Sequence, residues 1–177
     1  MEEFTLFAKP WWVNLFFLVP FIFYYFCKKN LDLPKKLLLI TGIFGIAFGF
    51  VETSVVVYLR NAIGVSSSSI TYFDMTENLL HIEIFREMAT IVMLASVAFL
   101  SARKWPERWA IFFWIFSIWD IFYYAYLRIT IGWPSSFLAP DILFLIPVPW
   151  TSQVWFPILI SIIFLLLVIL RRKNAQF

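Results

Sequence analysis

Long apolar stretches separated by short polar segments dominate the pattern of this 177-residue chain. The stretches are continuously apolar and lack the alternation of period two that marks a transmembrane β-strand. Several of them approach the roughly 20 residues that an α-helix needs to cross a bilayer. The pattern predicts an all-α integral membrane protein, a five-helix transmembrane bundle that forms one domain over residues 1–177. The predicted spans are about 11–27, 37–59, 83–101, 109–127 and 154–170.

The segment 129–153, between the fourth and fifth spans, has a different character. It is apolar, but prolines interrupt it at positions 134, 140, 147 and 149. Its apolar run 142–148 is too short to cross a bilayer as a helix. We therefore predict a short interfacial or re-entrant helix that begins near Asp141.

Basic residues predict the orientation of the bundle. They cluster after the first, third and fifth spans, and the opposite ends hold few of them. Because basic loops favour the cytoplasmic side, the pattern predicts a multi-pass protein of the cell membrane with its N-terminus outside and its C-terminus in the cytoplasm. The clusters are Lys28, Lys29, Lys35 and Lys36; Arg103, Lys104 and Arg108; and Arg171, Arg172 and Lys173.

The composition agrees with a membrane protein and excludes several functional classes. The chain is 62% hydrophobic and 14% charged, and a water-soluble domain of this size could not bury so much apolar surface. Its one cysteine, Cys27, excludes an intramolecular disulfide and a cysteine-rich metal motif. The sequence shows no phosphate-binding loop, no dinucleotide-binding glycine pattern and no basic surface suited to nucleic acid. It shows no motif of a characterised family.

Ionisable residues inside the predicted spans all fall in the outer half of the membrane. Such residues are costly in lipid, so they face a ligand, water or a charged partner. The outer end of the third span contributes His81, Glu83, Arg86 and Glu87; the second span contributes Glu52; and the fourth contributes Asp120, with Tyr124 and Arg128 above it.

Helical spacing places these residues on three matching faces. Gly45, Gly49 and Glu52 share one face of the second span, and the two glycines form a small-xxx-small pair that permits close helix approach. Glu83 and Glu87 share a face of the third span with Thr90 and Leu94, as Asp120, Tyr124 and Arg128 do on the fourth. The three faces predict a polar pocket that opens outward.

The pocket is predicted to hold more carboxylates than cations. Glu52, Glu83, Glu87, Asp120 and Asp141 stand against Arg86 and Arg128, with Arg60 at the rim. Protonation, water or a bound cation would offset the excess. For Asp141, the sequence favours a place at a helix N-terminus over a ligand role.

Roles follow from this chemistry. We predict Glu52, Glu87 and Asp120 as catalytic acid–base groups, and Arg86, Glu83, Tyr124 and Arg128 as ligand-binding residues. A divalent metal ion is a candidate cofactor, and its ligands would be Glu52, Glu87, Asp120 and His81.

Three functional interpretations remain open at this point. The first is a membrane-embedded enzyme or binding protein for a lipid-like ligand such as a quinone, an isoprenoid or a fatty chain. The second is an accessory or assembly subunit that contacts other membrane subunits or another copy of itself. The third is a proton- or cation-coupled transporter. A purely structural ion-pair network at Glu83, Arg86 and Glu87 is the simplest alternative to a site.

Overall fold

The structure is a computed structural model that describes residues 7–27, 30–64 and 76–173. Over these ranges the chain is mostly helical, with five α-helices and one β-hairpin. A 3₁₀ helix, Trp11–Leu18, continues directly into the first α-helix. The α-helices are α1 (Val19–Phe26), α2 (Lys35–Ile63), α3 (Glu77–Ser101), α4 (Trp105–Ile131) and α5 (Trp155–Arg171), and the strands are β1 (Pro140–Phe144) and β2 (Trp150–Gln153).

Three of these helices are long and apolar enough to cross a membrane. They are α2, α3 and α4, which contain 29, 25 and 27 residues. The continuous helical segment Trp11–Phe26 and α5 are also apolar but shorter. The predicted membrane character of the chain is therefore supported by three helices in the described residues.

Helix α4 is the centre of the bundle, and α2, α3 and α5 all pack against it. Ala110, Ile111 and Ile115 on α4 are fully buried. The indole N–H of Trp114 donates to the carbonyl oxygen of Leu38 on α2 at 2.9 Å. Packing against α4 therefore sets the positions of residues on α2, α3 and α5.

The glycine face of α2 lies directly against α4. A Cβ atom added at Gly45 would lie 3.1 Å from the carbonyl oxygen of Ile115, and one at Gly49 would lie 3.1 Å from that of Trp119. These are backbone contacts, so the two helices approach as closely as the absence of side chains allows. Glu52, one turn further along α2, is thereby held at the α4 side of the helix.

At each end of the bundle, hydrogen bonds join segments that are distant in the sequence. Lys9 and Thr151 exchange two backbone hydrogen bonds of 2.8 Å, which places the segment before the 3₁₀ helix beside the hairpin. At the other end, Leu31 donates to Arg171 and accepts from Lys173. The two ends of the first helical segment thus lie at opposite ends of α5.

The prediction of a short helix near Asp141 is wrong, because the chain forms an antiparallel β-hairpin there. Pro140 pairs with Gln153 and Asp141 with Ser152, and the register is irregular between Ile142 and Phe144. Prolines at 147 and 149 cannot donate the backbone hydrogen bonds that a helix through this segment would need. Strand β2 has a further partner in Lys9, a long-range pairing that helical periodicity could not indicate.

Substitution of Gly49 tests the close approach of α2 and α4. In Gly49→Ala, the new Cβ would meet the backbone of Trp119 and Tyr123 at 3.1 and 3.2 Å. We expect the unfolding free energy in detergent to fall by about 1–3 kcal/mol, as for other overpacked sites.

Gly42→Ala is the matched control on the same helix face. Its Cβ would meet only movable side-chain atoms, at 3.3 Å from Ile118 and 3.5 Å from Trp114. We expect no loss of stability, because alanine also favours the helix. Equal destabilisation by the two variants would contradict backbone contact at Gly49.

Candidate functional site

A cavity of about 110 Å³ lies between α2, α3, α4 and the hairpin. We call it the acidic pocket, because five carboxylates line it. Helix α2 contributes Glu52, Val56, Leu59 and Arg60; α3 contributes Glu83, Arg86, Glu87 and Thr90; α4 contributes Trp119, Asp120 and Tyr123; and the hairpin contributes residues 141–145.

Arg86 connects two of the carboxylates across two helices. Its guanidinium forms ion pairs with Glu52 of α2 and with Glu83 of α3, donating to Oε1 of Glu83 at 2.9 Å from Nε and at 2.5 Å from Nη2. Thr90 donates to the other oxygen of Glu52 at 3.3 Å. Glu52 and Glu83 are therefore bound carboxylates with defined positions.

The other three carboxylates accept hydrogen bonds from neutral donors. None of them forms an ion pair with a described residue. A neutral donor stabilises a buried carboxylate less than a guanidinium does, so these three groups retain unbalanced negative charge when ionised. The donors are the backbone N–H of Leu145 for Glu87 at 2.8 Å, the hydroxyl of Ser161 for Asp120 at 2.8 Å, and the hydroxyl of Tyr124 for Asp141 at 2.7 Å.

Asp141 differs from the others because it belongs to the hairpin and not to a long helix. Burial raises the pKa of its carboxyl to about 6, although hydrogen bonds from Tyr124 and the backbone of Ile142, and the charge of Arg60, oppose this change. The Asp141 carboxyl therefore changes its protonation state near neutral pH. The structure places it in the wall of the pocket, and not at the start of a helix as the sequence suggested.

The hairpin closes one side of the acidic pocket. Strand β1 and the residue after it supply this wall, and Leu145 is held to α3 by its hydrogen bond to Glu87. Asp141 is held to α4 by Tyr124 in the same way. Two of the pocket carboxylates thus also position the hairpin.

Two buried donors at the pocket lack hydrogen-bond acceptors among the described residues. They are Nε1 of Trp119 and Nε of Arg60. Trp119 is only 7% exposed, and the guanidinium carbon of Arg60 lies 4.9 Å from the ring centre of Trp133. Both residues line the pocket, so these two groups are candidate donors to an acceptor bound there.

Most residues that the sequence singled out meet in this pocket. Glu52, Glu83, Arg86, Glu87 and Asp120 all line it, and Glu83, Glu87, Thr90 and Leu94 share the buried face of α3 as predicted. Their assigned chemical roles remain predictions, since geometry alone does not demonstrate them.

Three predicted residues lie elsewhere. Tyr124 is buried behind the pocket and orients Asp141. Arg128 is exposed and donates to the carbonyl oxygens of Gly132 and Pro134, so it terminates α4. His81 is exposed and does not line the pocket.

The metal prediction gains no support from this arrangement. Within residues 7–27, 30–64 and 76–173, no group of three His, Cys, Asp or Glu side chains is placed to hold a metal ion. Glu52 is bound to Arg86, and His81 lies outside the pocket.

Sequence reasoning missed three contributors to the site. Trp119 precedes Asp120, and adjacent helical residues point in different directions, so the predicted polar face of α4 does not include Trp119. Ser161, whose hydroxyl bonds Asp120, is a polar residue within an apolar span and could have been noticed. The backbone N–H of Leu145 could not have been found, because it depends on the hairpin.

No protein-family model, characterised protein or solved structure matches this chain significantly. A functional conclusion therefore depends on the geometry of the acidic pocket itself.

Arg86→Gln tests the importance of the shared guanidinium. The variant leaves Glu52 and Glu83 buried without their counter-charge, which typically costs about 3–5 kcal/mol. We expect a loss of that order in unfolding free energy, measured by denaturation in mixed micelles.

Lys104→Gln is the control for the loss of one positive charge. Lys104 pairs with Glu107 at 3.3 Å, but its side chain is 71% exposed, so the expected cost is at most about 1 kcal/mol. Similar losses in the two variants would show that the Arg86 ion pairs do not hold α2 and α3 together.

Proposed function

We propose that this chain is a multi-pass protein of the cell membrane that binds the polar head of a lipid-like amphiphile in the acidic pocket. The observation that carries the proposal is the pocket itself, a cavity lined by charged groups and apolar side chains between helices long enough to span a bilayer. Ionisable groups at membrane depth that face a cavity are typical of ligand or substrate sites.

The size of the pocket suits a head group and not a whole lipid. Its volume of about 110 Å³ is smaller than the roughly 150 Å³ of an engineered cavity that holds one benzene molecule. A hydrocarbon tail would therefore remain in the bilayer. Helices α2 and α3 both pack on α4 and are joined by the ion pair of Arg86 with Glu52, and we propose that the tail leaves the pocket between them.

Five spans are part of the proposal, although two helical segments are short. The segment Trp11–Phe26 is half 3₁₀ helix, whose rise of about 2.0 Å per residue extends it to roughly 28 Å. Helix α5, with 17 residues, extends roughly 25 Å. Both values are close to the hydrocarbon thickness of about 30 Å.

The proposed orientation has the hairpin and the acidic pocket outside and the basic loops in the cytoplasm. The pairing of Leu31 with Arg171 and Lys173 supports it, because it places the loop after the first span beside the basic end of α5. The pairing of Lys9 with Thr151 places the start of the first span beside the hairpin.

Cysteine labelling on intact cells tests this orientation. In a Cys27→Ser background, Leu138→Cys introduces an exposed thiol just before the hairpin, and Lys104→Cys introduces one between α3 and α4. We expect a membrane-impermeant maleimide to label position 138 on intact cells and position 104 only after lysis. The opposite pattern would invert the topology, and labelling of both from one side would contradict the span count.

The pocket carboxylates divide into two groups by their contacts. Glu52 and Glu83 are bound to Arg86, so we assign them to holding the pocket together. Among the described residues, Glu87 and Asp120 accept hydrogen bonds from neutral donors, Leu145 and Ser161. Each carboxyl is therefore free to exchange a proton with a bound head group. If the protein is an enzyme, these two are its acid–base residues.

The alternative of an assembly subunit is less well supported by these contacts. In that interpretation the intramembrane charges would pair with other chains. Here Arg86, Glu52 and Glu83 satisfy one another within a single chain, so they need no partner. No observation specifically supports the transporter interpretation, since the pocket lies at the hairpin end of the bundle.

Filling the pocket tests the proposed function. Val56 lines the cavity, and Val56→Trp would occupy much of it. We expect wild-type protein purified in mild detergent to retain an amphiphile in near-stoichiometric amount, measured by mass spectrometry of lipid extracts, and the variant to lose it. Val51→Trp is the control, because Val51 lies on the exposed face of the same helix. Identical lipid profiles for all three folded proteins would overturn the proposal.

A further inference from the structure

We infer that the head group bound in the acidic pocket is a positively charged amine with an oxygen acceptor beside it, as in a long-chain amino alcohol. This inference rests on the proposed function and specifies the chemical class of the ligand. It is drawn from the charge balance of the pocket, its aromatic wall and its unpaired donors.

The charge balance favours a cation. Among the residues that the structure describes, five carboxylates line the pocket, whereas only two cationic side chains do, Arg60 and Arg86. Arg86 is already shared by Glu52 and Glu83. An ammonium group has three donors and could be shared by the remaining carboxylates, as a lysine side chain is in a buried ion pair.

The aromatic wall is also suited to an ammonium group. Trp119 and Tyr123 both line the pocket, and their rings are stacked with centroids 6.4 Å apart and planes inclined by 22°. Tryptophan and tyrosine rings attract cations, most strongly where water is excluded. An anionic head group would be repelled by the carboxylates and would gain no such attraction from the rings.

The unpaired donors favour a ligand that also carries a hydrogen-bond acceptor. The indole N–H of Trp119, in a side chain more than nine-tenths buried, has no acceptor among the described residues, and neither does Nε of Arg60. An ammonium group cannot accept a hydrogen bond, so these donors indicate an oxygen atom on the same ligand. An alcohol oxygen next to the amine would satisfy a donor without adding negative charge to the pocket.

Three matched probes separate charge from chain length and hydroxyl content. They are 2-aminododecan-1-ol, which is cationic at neutral pH, dodecane-1,2-diol, which is neutral, and 2-hydroxydodecanoate, which is anionic. Binding to the full chain in an uncharged maltoside detergent would be measured by native mass spectrometry. We expect one amino alcohol per protein, with an affinity at least tenfold higher than that of the diol, and no binding of the hydroxy acid.

Charge-neutral variants then locate the amine. Glu87→Gln and Asp120→Asn keep a carbonyl oxygen that can accept from Leu145 and Ser161. We expect each to weaken binding of the amino alcohol about tenfold and to weaken binding of the diol much less. Glu107→Gln is the control, because Glu107 is a buried carboxylate of α4 that pairs with Lys104 and does not line the pocket.

The outcomes distinguish this inference from the proposed function. If the three probes bind equally and Val56→Trp abolishes all of them, the pocket binds amphiphiles but the cationic class is wrong. Tighter binding of the hydroxy acid, or no effect of Glu87→Gln and Asp120→Asn, would also overturn the inference alone. If Val56→Trp changes no binding, the probes bind elsewhere and both proposals fail.

Discussion

The ion pairs of Arg86 are the interaction on which this architecture depends most. A partly buried guanidinium between apolar helices is stabilised by nearby carboxylates, and here Glu52 and Glu83 supply them from two different helices. Both helices pack on α4, yet the pocket separates their hairpin ends. The ion pair of Arg86 with Glu52 therefore joins α3 to α2 at the acidic pocket.

The close contact of α2 with α4 determines where those charges lie. Gly45 and Gly49 bring the backbones together, and Glu52 follows on the same face. Larger side chains at the two glycines would move Glu52 away from Arg86. The same face of α2 thus carries the glycines that pack against α4 and, one turn further along, the charged Glu52.

The hairpin forms one wall of the acidic pocket and is hydrogen-bonded to the helices around it. It contributes Asp141 and a run of apolar residues to the wall, and it is held by Glu87, Tyr124 and the backbone of Lys9. These carboxylates line the pocket and also hold its wall, so under the proposed function a bound ligand would act directly on that wall. A cation that draws Glu87 or Asp141 toward itself would change the hydrogen bonds that position the hairpin.

Sequence patterns alone predict the apolar helices and the helix faces that carry Glu52, Glu83, Glu87 and Asp120. These properties are local, because apolar length and the spacing of residues on a helix need no knowledge of distant contacts. The tertiary structure alone decided that 140–153 forms a hairpin, since its strand pairs with Lys9 and its Leu145 N–H bonds Glu87. It likewise decided that Arg128 terminates its own helix and that Trp119 and Ser161 belong to the site. Such assignments depend on contacts between residues that are far apart in the chain, and local sequence patterns do not indicate such contacts.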